Sequence, residues 1–137
     1  MDAQSTFEWR HAEVYEFGGF RLEVAERRLT RGTLRVHLAP KTYDVLVALV
    51  RHPGHLVTKD ELLRRVWPNV SVEEGILTVH VSGLRKVLGD ITRSPLYIET
   101  VSRAGYRFIA AVTRLNDQDA PVSSRRSFPA FAGGARS

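Results

Sequence analysis

Cysteine is absent from this chain of 137 residues, and other missing features narrow its function further. Without cysteine there are no disulfide bonds, no thiolate zinc sites and no cysteine nucleophiles. No apolar run approaches the roughly 18 residues that a membrane span needs. The first residues include Asp2 and Glu8, where a signal peptide needs a basic start and an apolar core. We therefore expect a soluble, cytoplasmic protein whose chain contains no membrane segment.

The chain also lacks the residue constellations that enzymes use. No Gly-rich phosphate loop is visible, and no nucleophile, base and carboxylates converge in the sequence pattern. His37, His52 and His55 fall in different predicted elements and do not have metal-ligand spacing. We expect no catalytic activity, no cofactor and no metal ion.

Acidic residues are outnumbered, with 20 Lys and Arg against 15 Asp and Glu and a formal net charge of +5. The positive excess lies in residues 15–112, which hold 15 basic and 10 acidic side chains. This balance favours a polyanionic partner, because net charge steers association. A hydrophobic content of 43% is ordinary for one globular core in a chain of this length.

Local patterns divide the chain into three parts. Residues 1–13 are polar and mixed, and we interpret them as a flexible arm. Residues 113–137 lack hydrophobic periodicity, which is typical of a disordered tail or linker. Residues 14–112 carry the strand and helix signals. We expect an α+β domain there, with an N-terminal antiparallel sheet, three helices and a C-terminal β-hairpin.

The first two helices have clear start signals. Residues 20–24 alternate as a half-exposed strand should. Pro40 suits the first turn of a helix. Thr58 and Glu61 have capping-box spacing at the start of a second helix. Residues 97–110 contain two strand-like runs around a short turn with glycine, which predicts the hairpin.

A third helix is predicted within residues 71–89, opened by a capping box of Ser71 and Glu74 and closed by Gly89. Its apolar residues form one buried stripe at helical spacing. The opposite face is small and mostly uncharged. The two sets are Leu77, Val81, Leu84 and Leu88 inside, and Gly75, Val79, Ser82 and Lys86 outside.

That outer face has two interpretations. Glycines such as Gly75 and Gly83 each cost about 1 kcal/mol against alanine in a helix interior. One interpretation is that a partner, such as a DNA major groove, approaches this face closely. The other is that Gly75 lies in a frayed first turn and Val79 covers a neighbouring loop.

Two helices joined by a short connection and followed by a basic hairpin are typical of a winged helix-turn-helix. Four blocks resemble the OmpR/PhoB-type winged-helix effector domain of bacterial transcription regulators. The blocks are residues 38–41 with 46–50, 57–67, 79–88 and 101–108. They occur in the family's order, and the resemblance covers residues 15–112. Residues 94–101 are similar to the CadC/ToxR-like branch.

The resemblance implies that residues 73–88 are a recognition helix in the major groove of double-stranded DNA and residues 97–110 a wing on the adjacent minor groove. Thr78 and Val79 are expected near thymine methyls, with Lys86 or Arg85 toward phosphate or guanine. Arginines frequent in the family are missing at Gly75, Ser82, Gly83 and Ser102, so the bases read do not carry over. The expected DNA-binding residues are Thr78, Val79, His80, Ser82, Gly83, Arg85, Lys86, Thr100, Arg103 and Arg107.

Alternatives stay open for two of these residues and for the function. Arg107 could pair with a sheet carboxylate, and His80 could bond a neighbouring group. The rival function is a winged-helix protein-interaction module with weak or non-specific DNA binding. The missing arginines favour it and the positive charge opposes it.

The resemblance has implications for signalling and partners. Many members, as in two-component systems, carry an N-terminal receiver domain, and residues 1–13 are too short for one. We therefore expect an effector domain or a small stand-alone regulator. Members bind tandem repeats about one helical turn apart as dimers. Residues 68–72 correspond to a loop that contacts RNA polymerase in activators.

Overall fold

The computed structural model describes residues 13–91 and 93–115. They fall into two compact units, one made of the chain up to Gly32 and from Thr113, and the other of Thr33–Val112. Residues 1–12 of the predicted arm and 116–137 of the predicted tail lie outside the described residues.

The first unit contributes four antiparallel strands in the order β3-β2-β1-β8. Buried and half-exposed residues alternate along β2, with Phe20 and Leu22 buried, as the sequence pattern predicts. Pairing of Val14 with Leu115 corrects the predicted domain end at residue 112. The three residues of β8 show no periodicity in the sequence because the strand is so short, and the pattern therefore assigns them to the tail. The strands are β1 (Val14–Phe17), β2 (Phe20–Glu23), β3 (Arg28–Arg31) and β8 (Thr113–Leu115).

The second unit contains three helices and a three-stranded antiparallel sheet with the order β5-β7-β6. This confirms the predicted α+β winged-helix architecture with its C-terminal hairpin. The elements in chain order are β4 (Leu34–Val36), α1 (Pro40–Val50), β5 (Leu56–Thr58), α2 (Lys59–Val66), α3 (Gly75–Leu88), β6 (Ile98–Val101) and β7 (Gly105–Phe108).

Helix α1 is the centre of this unit. Pro40 occupies its first turn, where the missing N–H is not needed. Eight of its eleven residues are buried, and it packs on α2, α3 and β7. A helix that is buried on most sides serves as a core element.

Helix α2 begins at the predicted cap. The Thr58 hydroxyl accepts a hydrogen bond from the Glu61 N–H at 3.1 Å, which satisfies one orphan donor of the first turn. The Glu61 carboxylate pairs with Arg65 one turn later, also at 3.1 Å. The helix ends at Val66, two residues before Pro68, as expected of a helix-stopping proline.

Helix α3 begins at Gly75 rather than at residue 73, which corrects the predicted start. Glu74 occupies the cap position in a helical conformation, and no side chain caps the helix. The Glu74 carboxylate lies 3.7 Å from the Lys59 ammonium instead of pairing with Ser71. The predicted capping box is therefore not formed, and Glu74 is in an ion pair with a residue of another helix.

Candidate nucleic-acid interface

The outer face of α3 is exposed along its whole length. Gly75, Thr78, Val79, Ser82 and Lys86 are all solvent-exposed, and the Val79 residue is 67% exposed. Val79 therefore does not cover a neighbouring loop. Gly75 is the first helical residue, as the frayed-turn interpretation requires, so that glycine alone says little about a partner.

The inner face holds α3 against the rest of the unit. The buried residues are the predicted stripe of Leu77, Val81, Leu84 and Leu88, each no more than 3% exposed. Because this stripe is fixed in the core, the outer face has a defined direction. The outer face of α3 is therefore nearly neutral and ends in the positive charge of Lys86.

The wing tip carries the second exposed cation. Arg103 lies in the turn between β6 and β7 with a left-handed φ of 64°, a conformation that costs a non-glycine residue roughly 1–2 kcal/mol. The turn is closed by the Ala104 N–H, which donates to the Val101 carbonyl at 2.9 Å. Within the described part of the chain, no carboxylate pairs with Arg103 or with Lys86.

The other predicted cations are already bonded. The Arg85 guanidinium donates to the Ile98 carbonyl at 3.0 Å and to the Thr100 hydroxyl at 2.8 Å. Arg107 pairs with Glu99, directly across the hairpin, at 2.7 Å. The alternative of a sheet carboxylate for Arg107 is the one that the structure shows.

His80 points to the flank of α3 and not along its outer face. Its Nδ1 shares a hydrogen bond of 2.8 Å with the hydroxyl of Thr42 on α1, and its ring packs 5.5 Å from the Trp67 ring, centroid to centroid. The bond to a neighbouring group, left open by the sequence, is therefore present. His80 joins α3 to α1 and the end of α2.

Asp90 is a site residue that the sequence analysis missed. Its carboxylate accepts hydrogen bonds from three successive backbone N–H groups, those of Leu96, Tyr97 and Ile98. It thereby fixes the loop that joins α3 to the wing. The sequence offered only an aspartate after Gly89, a common loop residue, so no local pattern pointed to this role.

The predicted site therefore separates into an exposed group and a bonded group. Thr78, Val79, Ser82 and Lys86 share the outer face of α3, with Gly83 half-buried beside them. Arg103 and Thr100 are exposed on the wing. His80, Arg85 and Arg107 are half-buried and engaged by neighbours.

No helix in residues 13–91 or 93–115 has the length and apolar character to cross a membrane. The same residues contain no cluster of three side chains suited to hold a metal ion.

The chain resembles curated transcription regulators over part of their length. It is 36% identical over 98 residues to the transcriptional regulatory protein KdpE of Mycobacterium tuberculosis, covering 71% of this chain and 43% of KdpE. It is 30% identical over 107 residues to the transcriptional activator CadC of Escherichia coli, covering 77% of this chain and 21% of CadC. The chain thus spans less than half the length of these relatives.

Solved structures match the fold closely. The DNA-binding domain of Escherichia coli CadC superposes with a TM-score of 0.64 at 31% identity, covering 73% of this chain and 94% of that domain. The Klebsiella pneumoniae RstA DNA-binding domain, solved in complex with the RstA box, superposes with a TM-score of 0.62 at 30% identity, covering 70% of this chain and 96% of that domain.

The family model described as "Transcriptional regulatory protein, C terminal" matches residues 32–108, more than half of the chain. Its members are regulatory domains and not enzymes. The sequence blocks, the three helices and the wing agree with this match, and the chain belongs to the OmpR/PhoB-type family of C-terminal domains of transcriptional regulatory proteins.

Proposed function

We propose that this chain binds double-stranded DNA sequence-specifically as the effector domain of a cytoplasmic bacterial transcription regulator. α3 would lie in the major groove and the wing on the adjacent minor groove. The observation that carries the proposal is the pairing of an exposed, uncharged helix face with two exposed cations, Lys86 and Arg103, that have no carboxylate partner. A domain 30% identical to this chain is solved on the RstA box, which supports the same use here.

Each exposed residue has a role that its chemistry suits. Val79 and Thr78 would contact thymine methyls, and the Ser82 hydroxyl would bond a base edge. Gly83 would let the helix approach closely. Lys86 would contact a phosphate, and Arg103 would enter the minor groove, where positive charge is favoured. The strained φ of Arg103 supports a functional role, since glycine would satisfy the turn at lower cost.

The bonded residues would contribute indirectly. Thr100 accepts from Arg85, so its hydroxyl proton is left to donate to a phosphate. Arg107 would supply less charge near the DNA backbone than a free arginine, because it is paired with Glu99. Contact of His80 with DNA is the weakest part of the proposal, because Thr42 already holds its Nδ1.

The family implies two partners, RNA polymerase and a second copy of the chain, and an exposed loop supports the first. The loop of residues 68–72 lies between α2 and α3. All of its residues but Val72 are exposed, and Val70 is 61% exposed. This loop is our candidate contact for RNA polymerase. Tandem binding of two copies to direct repeats one helical turn apart is the proposed arrangement on DNA.

The competing function is a protein-interaction module, and exposed apolar side chains away from α3 favour it. Ile91 and Leu96 are 62% and 65% exposed in the loop after α3. This module would bind its partner with little dependence on salt. DNA binding must weaken steeply as salt rises, because phosphate contacts release counterions.

Selection from random duplexes at two salt concentrations tests the proposal. We expect an enriched motif with half-sites one turn apart and salt-dependent affinity. Lys86→Ala and Arg103→Ala should each weaken binding roughly five- to 100-fold, as expected for cation contacts. Arg35→Ala is the matched control, an exposed arginine in β4 outside α3 and the wing, and should bind normally. No binding at low salt would exclude the proposal in favour of the interaction module.

A further inference from the structure

Ile98 is held at both of its backbone polar groups by charged side chains. Its N–H donates to the Asp90 carboxylate at 2.8 Å, and its carbonyl accepts from the Arg85 guanidinium at 3.0 Å. Ile98 itself is fully buried. Hydrogen bonds to charged groups are about twice as strong as neutral ones. We call Arg85, Asp90 and Ile98 the wing clamp.

Both charged residues come from the C-terminal end of α3. The Asp90 N–H donates to the Arg85 carbonyl at 2.8 Å, and the left-handed Gly89 between α3 and Asp90 lets the chain turn back. The backbones of Arg85 and Asp90 are therefore fixed to each other, and both side chains reach the wing from the end of α3. Neither depends on a long, flexible loop for its position.

The clamp holds the first strand of the wing at its open edge. β6 lies at the end of the sheet order β5-β7-β6, so one side of the strand has no sheet partner among the described residues. Arg85 and Asp90 satisfy Ile98 on that side. An edge strand otherwise leaves its N–H and C=O groups unpaired.

The geometry of the clamp links the two exposed cations. Lys86 follows Arg85 directly on α3, and β6 runs from Ile98 to the turn that carries Arg103. Fixing Ile98 on the end of α3 therefore fixes the direction from Lys86 to Arg103. Arg85 is also turned inward, since its Nε is buried.

We infer that Asp90 and Arg85 are positioning residues, which set the wing so that Arg103 and Lys86 act on the same DNA duplex. This inference rests on the proposed DNA binding and assigns Asp90 a part in it. Asp90 would contribute through the wing and not by touching DNA.

Electrostatics alone predicts that a variant without the Asp90 charge binds DNA more tightly. Asp90 is an acid close to a surface that we propose for DNA, so removing its charge should strengthen binding electrostatically. The clamp predicts weaker binding, because the wing loses its fixed angle. The sign of the change therefore separates the two explanations.

The experiment measures the affinity of Asp90→Ala for the selected duplex, in the wild-type and the Arg103→Ala backgrounds. With Arg103 present we expect about tenfold weaker binding, the loss typical of one arginine contact. Without Arg103 we expect a smaller loss of about twofold, because the minor-groove contact is already gone and only the Thr100 phosphate contact is left to misplace. Glu73→Ala is the matched control, an exposed acid before α3 whose loss should leave binding equal or tighter.

Thermal unfolding monitored by circular dichroism confirms that each variant is folded. If Asp90→Ala does not fold, Asp90→Asn replaces it, since the amide keeps one acceptor oxygen, and a smaller but Arg103-dependent loss is expected. Unchanged or tighter binding would overturn the clamp, as would an equal loss in both backgrounds. Absence of wild-type binding would overturn the proposed function itself, which distinguishes the two failures.

Discussion

Helices α1 and α3 are both built mainly from apolar and small residues, but they bury them differently. Eight of eleven residues are buried in α1, against four of fourteen in α3. α1 contains no glycine, whereas α3 contains Gly75 and Gly83. The residues of α1 are thus explained by the core. The outer face of α3 contributes nothing to that core, so its composition requires another explanation.

The largest effect should come from the core side of this comparison. Leu49→Ala removes a fully buried α1 side chain and should lower the free energy of unfolding by about 2–5 kcal/mol. Val79→Ala, on the outer face of α3, should change it by less than about 0.5 kcal/mol. Urea denaturation measures both. A comparable loss for Val79→Ala would mean that its side chain packs in the core, and the comparison would fail.

The wing shows the same division between buried and exposed positions. Gly105 pairs with Thr58 in β5, and a Cβ at Gly105 would overlap the Val57 carbonyl oxygen and lie 2.8 Å from the Thr58 Cα. Gly105→Ala should therefore destabilise the domain by about 1–3 kcal/mol, as overpacking does. Ser102→Ala, exposed in the turn before β7, should change stability by less than about 0.5 kcal/mol. Thermal unfolding of the two variants gives the answer, and equal melting temperatures would contradict the close approach.

The first turns of α2 and α3 also differ, because only α2 has a side-chain cap, and the expected effect on stability is smaller. Thr58→Ala removes a formed cap and should cost about 1 kcal/mol. Ser71→Ala should have almost no effect, because α3 begins at Gly75 without a side-chain cap. Both variants can be measured by urea denaturation. A similar cost for Ser71→Ala would indicate that the capping box suggested by the sequence does form.

These two starts show why part of the structure could be predicted and part could not. The α2 cap and the buried stripe of α3 depend on residues within one or two turns, so their spacing is visible in the sequence. At the start of α3, Glu74 pairs instead with Lys59, fifteen positions earlier in the chain. That pairing exists only in the folded domain, so no local spacing predicts it.

The candidate site divides in the same way. The outer face of α3 follows from helical periodicity, and its exposure confirms that geometry. The partners of Arg85, His80 and Asp90 lie in β6, α1 and the loop before β6. Such bonds depend on tertiary packing. The sequence could therefore identify the face, but not which cations are free to meet DNA.

Gly83→Ala should change stability no more than Thr58→Ala does, and it tests the outer face most directly. The added Cβ meets no atom within 4 Å, so the fold does not require glycine there. Alanine should raise the free energy of unfolding by about 0.5–1 kcal/mol through its higher helix propensity. DNA affinity should fall, because the methyl group occupies space that the groove would fill.

Measuring both quantities on one variant makes this prediction sharp, since few substitutions are expected to stabilise a domain and weaken its binding. Arg35→Ala is again the control, since it lies outside α3 and the wing and should leave the DNA affinity unchanged. Gain of stability with unchanged affinity would show that α3 does not approach DNA at Gly83. Opposite changes in stability and affinity would show that this glycine is explained by a partner and not by the fold.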